Sequence, residues 1–314
     1  MLQNFILCFN AVLPSMIYLA IGIILRMNKV IDDRDVKRFT HIVFVALYPF
    51  IMFDNLYGKN VGEHLDFKLG AYALGFTILQ FAVSWVFVCK TEKDNYDRGA
   101  MIQALFRSNF ILMGFPIAMN LFGRGNITPV AIIMLLVIPF YNIATVVVFE
   151  TFRGGKVDIK DMVKRILTNP IIDGGIAAAV VMLLLHITLP ETIANTVTAL
   201  SDCTSPIALI LLGAGLNLKD FESDTKKVAI CTFGKLVFFP AFGIAGAVLI
   251  GLRGVPLVSV TLMVAAPVAL ASYAMASSMG GNGRLAGEIV VTTTLISCLT
   301  IPVWLFILKT AGMF

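Results

Sequence analysis

Charge is scarce in this chain. Of 314 residues only 14% are Asp, Glu, Lys or Arg, against about 25% in soluble domains. Histidine is scarcer: His41, His64 and His186 stand far apart and cannot build a metal site with the cysteines. The five cysteines (Cys8, Cys89, Cys203, Cys231, Cys298) form no Cys-x-x-Cys pair and no disulfide framework, so they read as small buried hydrophobes. No nucleotide loop is present, because Gly154-Gly155-Lys156-Val157 lacks both the spacing and a hydroxyl residue after the lysine. The net charge of +5 is dealt out over many loops rather than massed, so no nucleic-acid partner is expected. No cofactor is expected either.

Apolar sequence fills the space the charges leave. The set AVILMFWYC makes up 58% of the chain, and the mean hydropathy is +0.90. A soluble globule could not hide that much apolar surface, and the same composition excludes disorder, coiled coil, collagen and disulfide scaffolds. An integral membrane protein is expected, with the lipid bilayer as solvent. A spanning helix needs about 20 mostly apolar residues. That ruler gives ten candidates, near 5–25, 39–57, 69–89, 99–122, 129–150, 170–189, 204–218, 228–252, 255–279 and 286–308. The seventh is short, and the fourth and ninth are interrupted.

Seventeen of the 24 Lys and Arg fall in the loops after odd-numbered spans, and five fall on the other side. The positive-inside rule therefore puts the odd loops in the cytoplasm and both termini outside. The longest loop splits ten spans into two fives, which must cross the membrane in opposite senses, as in an inverted-topology repeat. The expected organisation is a first repeat at 1–152 (helices 1–5), a cytoplasmic linker at 153–169 and a second repeat at 170–314 (helices 6–10).

Spans four and nine pair across the halves. Each has a proline near its middle with polar residues around it (Arg107-Ser108-Asn109 before Gly114 and Pro116; Pro267 before Ser272 and Tyr273), and each leads into a glycine-rich turn. Proline removes a backbone donor and clashes with the carbonyl four residues earlier, so both helices should break near it. Matched breaks in two inverted halves point to a binding site at the bilayer midplane. A half-helix starting near Pro116 or Pro267 would offer free N–H groups to an anion. Asn109, Ser108 and Ser272 would add neutral hydrogen bonds. Arg107 and Lys235 lie deep inside spans, where they either snorkel or hold charge near the site. Glu288 is the candidate proton carrier, and Asp54 and Asn55 are placed at an outer vestibule.

Ser108 to Pro116 resembles the Asn-x-x-x-x-Gly-x-Pro element in helix four of the auxin efflux carrier family. Ala266-Pro267, Ala271-Ser272-Tyr273, Thr292 to Ser297 and Ile301-Pro302 resemble its ninth and tenth helices. Leu167-x-Asn169-Pro170 and Leu212-Gly213-x-Gly215-Leu216 fit the same order, and the length is similar to compact bacterial members. The resemblance implies an all-α, ten-helix fold related to bile acid transporters and sodium–proton antiporters. In it helices 1, 2, 6 and 7 form a scaffold, helices 3–5 and 8–10 a transport domain, and broken helices four and nine cross. It implies transport of an organic anion such as malate, malonate or an auxin-like acid. Asn109 would be the contacting asparagine, with Pro116 and Pro267 shaping the crossover. Ser272 stands where plant members carry a second proline, so the plant substrate does not carry over.

The function expected is a secondary transporter of a small carboxylate, with a proton or sodium as coupling ion, forming a homodimer in a bacterial inner membrane. The alternatives are a passive channel or sensor on the same fold and, further off, an intramembrane enzyme. The enzyme would need a nucleophile, paired aspartates or a metal inside the membrane.

Overall fold

A backbone inside lipid must satisfy its own hydrogen bonds, and an apolar run does so by coiling. In a computed structural model, which describes residues 2–47, 49–50, 53–54, 66–123, 126–153, 189–216 and 225–314, all regular structure among the described residues is helical. The helices are α1 (Leu2–Met27), α2 (Asp33–Ile42), α3 (Phe67–Thr91), α4 (Asn95–Phe106), α5 (Phe115–Phe122), α6 (Thr128–Arg153), α7 (Glu191–Ala214), α8 (Thr225–Phe233), α9 (Phe239–Leu249), α10 (Gly254–Ala265), α11 (Ala271–Ser278) and α12 (Gly283–Thr310). Seven stretches among them are long and apolar enough to span a bilayer: Ile6–Met27, Phe67–Thr91, Asn95–Phe122, Thr128–Phe152, Glu191–Ala214, Thr225–Leu249 and Gly283–Thr310. These correspond to expected spans one, three, four, five, seven, eight and ten. Span nine is divided into α10 and α11. Residues 48, 51–52 and 55–57 of span two, all of span six except residue 189, and the 153–169 linker apart from Arg153 lie outside the described residues.

The seventh span is longer than hydropathy suggests and begins at Glu191 rather than near residue 204. Its first half is polar, but Thr196 and Thr204 donate their hydroxyls to the Thr192 and Leu200 carbonyls one turn back. A hydroxyl satisfied inside its own helix costs little in an apolar setting. Further along, α7 meets α1 backbone to backbone. A Cβ on Gly22 would run into the Ile210 carbonyl oxygen, and one on Gly213 into the Leu19 carbonyl oxygen. Close approach over small residues is how membrane helices gain packing without a hydrophobic drive.

Among the described residues three π-helical turns, Val43–Leu47, Phe110–Gly114 and Gly234–Phe238, each end two residues before a proline: Pro49, Pro116 and Pro240. In the second and third, the next N–H reaches five residues back, from Phe115 to Phe110 and from Phe239 to Gly234. The wider turn makes room for the proline ring, so the helix continues instead of snapping. At Pro240 the missing donor leaves the Leu236 carbonyl to the Trp304 indole N–H, 3.0 Å away.

One end of the bundle is tied by charge. Lys227 Nζ, on α8, lies 2.7 Å from Glu92 Oε2 and 2.5 Å from Asp97 Oδ2. Asn282 Nδ2 donates to Asp97 Oδ1 at 2.7 Å, and the Asn282 N–H to the Tyr96 carbonyl at 2.9 Å. The Lys227 hydrogen bond holds the Glu92 carboxyl below its ordinary pKa. This cluster joins the α3–α4 connection to the starts of α8 and α12.

Candidate functional site

Both interrupted helices break, but only the second of them at its proline. The α4 helix stops at Phe106. Arg107 turns extended, with φ −79° and ψ 129°, and Asn109 takes φ −83° and ψ 43° before the π turn begins. The break at 107–109 therefore precedes Pro116 by a π turn, and Pro116 sits buried in the first turn of α5. Proline has no N–H to lose at a helix start, so it fits there unbroken. In span nine the expectation is closer, since Pro267 lies inside the break. Ala266 before it is extended, with φ −63° and ψ 147°, as a pre-proline residue prefers, and α11 starts at Ala271.

The two breaks touch. The Asn109 N–H donates to the Pro267 carbonyl at 2.7 Å, and the Ser108 hydroxyl to the Ala266 carbonyl at 3.4 Å. Thr293 of α12 accepts from the Val268 N–H at 3.2 Å while donating to the Ile289 carbonyl at 2.7 Å. Backbone groups released by the breaks are thus partly satisfied by each other. The C-terminal ends of α4 and α10 both run into the crossing, and the chain leaves through α5 and α11. Helix ends carry partial negative charge at the C-terminus and positive at the N-terminus, so the crossing gathers both signs.

Arg107 neither snorkels nor reaches lipid; it is 9% exposed. Its guanidinium donates to Thr145 Oγ1 at 3.1 Å, Asn142 Oδ1 at 3.1 Å and Met275 Sδ at 3.3 Å. All three acceptors are neutral. Gln103, one turn earlier, adds its amide to Thr145 at 3.5 Å. Three buried polar atoms in or near this region have no partner: Asn109 Nδ2, Gln103 Oε1 and Ser272 Oγ. Buried polar groups are nearly always paired, and each exception calls for a reason. A cationic group held by neutral acceptors, with free amide and hydroxyl groups around the crossing, can bind an anion.

The other expected residues lie apart. Gly114 gives its face to the Phe110 ring, which a Cβ would overlap. Tyr273 is 47% exposed and packs beside Gly287 of α12. Glu288 is buried, 3.6 Å from Arg284, and lines a crevice of about 520 Å³ between α8 and α12 that also includes Thr232 and Thr292. Lys235 is fully buried and does not snorkel; its Nζ has no hydrogen-bond partner. A second crevice of about 470 Å³ lies between α1 and α5, lined by Asn10 and Asn120. Asp54 accepts from Thr198 of α7 at 2.8 Å, while Asn55 is outside the described residues.

Sequence reasoning on charges and prolines missed Gln103, Asn142, Thr145 and Thr293. Each is polar within an apolar span, and a search for neutral polar residues in spans would have found them.

Spanning apolar helices around two crossed interior breaks define a polytopic membrane protein with a polar site in its core. A family model described as membrane transport protein matches residues 7–305, nearly the whole chain. The chain belongs to that family, the auxin efflux carrier family, and is an integral membrane transport protein. A search of the curated proteins finds no match.

Proposed function

We propose that this transporter is a secondary carrier for a small carboxylate, moved by alternating access at the crossing of spans four and nine. The observation that carries the reading is the Asn109–Pro267 contact beside a buried guanidinium with only neutral acceptors. A carboxylate entering there would meet Arg107 and the free Asn109 amide. Ser272 would add a hydroxyl, with Ser108, Gly114, Pro116 and Pro267 shaping the walls and Tyr273 at the margin. Malate, malonate and auxin-like acids are the substrates to try first, with a proton or sodium as the coupling ion.

The mechanism proposed has two bodies within a ten-span, five-plus-five inverted repeat. Helices 1, 2, 6 and 7 form the scaffold, and 3–5 with 8–10 carry the site. The glycine contact of α1 with α7 supports the first grouping. The Lys227 cluster supports the second, since it ties spans three, four, eight and ten at one end. Both termini are proposed to lie outside, in a bacterial inner membrane.

The test is uptake into proteoliposomes of labelled dicarboxylates, monocarboxylates and indole acids, with counterflow against an internal load. Saturable uptake with counterflow is expected for at least one acid. Absence of uptake for every acid removes the proposal, and flux without counterflow replaces the carrier by a channel.

A further inference from the structure

We propose that Lys235 carries the coupling proton: it is an uncharged amine in the empty carrier and becomes an ammonium when a carboxylate occupies the crossing. The proposal rests on the carboxylate-carrier reading above and names the group that couples it. The first observation is the setting of the side chain. Lys235 has no exposed surface, to water or to lipid, and its Nζ makes no hydrogen bond. An ammonium sealed in that way is an unpaired charge without hydration, the costliest group a protein interior can hold.

The second observation is what surrounds it. The π turn Gly234–Phe238 packs against α4, α8, α9, α10 and α12. The helices α9 and α10 carry no titratable side chain. On α8 these are Lys226, Lys227 and Cys231; on α12 they are Arg284, Glu288, Cys298 and Lys309; on α4 they are Tyr96, Asp97 and Arg98. The only carboxylates in that set are Asp97 and Glu288. Asp97 is taken by Lys227 and Asn282 at the end of the bundle, and Glu288 lies 3.6 Å from Arg284. Neither forms an ion pair with Lys235.

The third observation is the position of the turn. Gly234 lies against the Leu105 side chain, which a Cβ on the glycine would press at 2.5 Å. Lys235 therefore follows a residue packed on the last turn of α4, two positions before Arg107. With the crossing empty, the buried Arg107 charge adds to the cost of a second cation. A bound carboxylate cancels the Arg107 charge, and a dicarboxylate such as malonate reverses it, so the cost of an ammonium at Lys235 falls. Lys235 then takes a proton from the side to which the site is open and returns it where the anion leaves. Anion and proton move in the same direction.

The linkage has a definite sign. If binding takes up a proton, carboxylate affinity rises with acidification, by up to about tenfold per pH unit between the two titration points.

Trp304 supplies a readout that needs no transport, because its indole N–H is bonded to the carbonyl of Leu236, next to Lys235. In a Trp85→Phe background it is the single tryptophan, since the chain has two. Its fluorescence in nanodiscs would be followed between about pH 5 and about pH 10, with and without malonate. One transition is expected, moved to higher pH by the acid and absent in Lys235→Met. Lys235→Met removes a buried unpaired amine and is expected to fold at least as well, which thermal unfolding checks. In proteoliposomes Lys235→Met and Lys235→Arg should lose the pH slope of malonate uptake.

A transition that persists in Lys235→Met, or uptake with an unchanged pH slope in that variant, overturns the proposal while leaving the carrier intact. Failure of the unmodified protein to move any carboxylate removes the carrier reading, and this proposal with it.

Discussion

Asn109 and Pro267, 158 residues apart in sequence, are joined by a 2.7 Å bond from the amide N–H of one to the carbonyl of the other. The bond is made by main-chain atoms at the points where two helices lose their own ladders. It survives any side-chain change at residue 109 except one to proline, which has no N–H. The Asn109 side chain, by contrast, has a buried Nδ2 with no partner.

That division separates folding from function at one position. Asn109→Ala should leave the thermal unfolding midpoint unchanged or slightly raised, because it deletes an unsatisfied donor worth about 1 kcal/mol or more in desolvation. Carboxylate uptake by the same variant should fall at least about tenfold, a loss of about 1.4 kcal/mol in transition-state or substrate binding. Unchanged uptake would take the asparagine out of the site.

The Arg107 cradle predicts effects at residues remote in sequence. Thr145→Val leaves one buried guanidinium N–H without its 3.1 Å acceptor. It should cost about 1–3 kcal/mol of stability, measured by thermal or denaturant unfolding. Arg107→Lys keeps the charge but cannot reach three acceptors at once. Its expected phenotype is a KM for the carboxylate raised about tenfold, with protein still in the membrane. Arg107→Met should abolish uptake.

The contact of α1 with α7 is made by backbone, so even one methyl group must push the helices apart. Gly22→Ala and Gly213→Ala should each destabilise by about 1–3 kcal/mol, as overpacking does elsewhere. The two sites face the same interface, so the double variant should be less than additive. Fluorescence-detected unfolding of the three variants tests both statements.

Acid should loosen the Lys227 cluster. Lys227 holds the Glu92 pKa below its ordinary value of about 4.3. A carboxylate with a depressed folded-state pKa contributes stability that is full above the ordinary value and is lost as pH falls through the lowered one. The unfolding midpoint should therefore drop on acidification through that range. Glu92→Gln should be less stable at neutral pH and show a shallower drop. An identical acid profile in the variant would place the loss elsewhere.

Much of this architecture is visible from composition and period. Apolar runs long enough for the bilayer located seven of the spans seen, and polar residues beside Pro116 and Pro267 marked the two helices that break. Precise placement failed for local reasons. The break in span four falls at Arg107–Asn109, because a π turn absorbs the proline that was expected to cause it. The start of α7 was missed because threonine hydroxyls bonded to their own helix look polar to a hydropathy scale.

The sequence by itself determined the solvent, the helices and which two of them are interrupted, since those depend on transfer free energy and on the chemistry of proline along one stretch of chain. Only the tertiary structure decided that the interruptions meet. It also decided that Arg107 is held by Thr145, Asn142 and Met275 instead of snorkelling, and that Lys235 is sealed without a partner. Each of these depends on atoms from helices far apart in sequence, and burial of a charge is a property of what surrounds it.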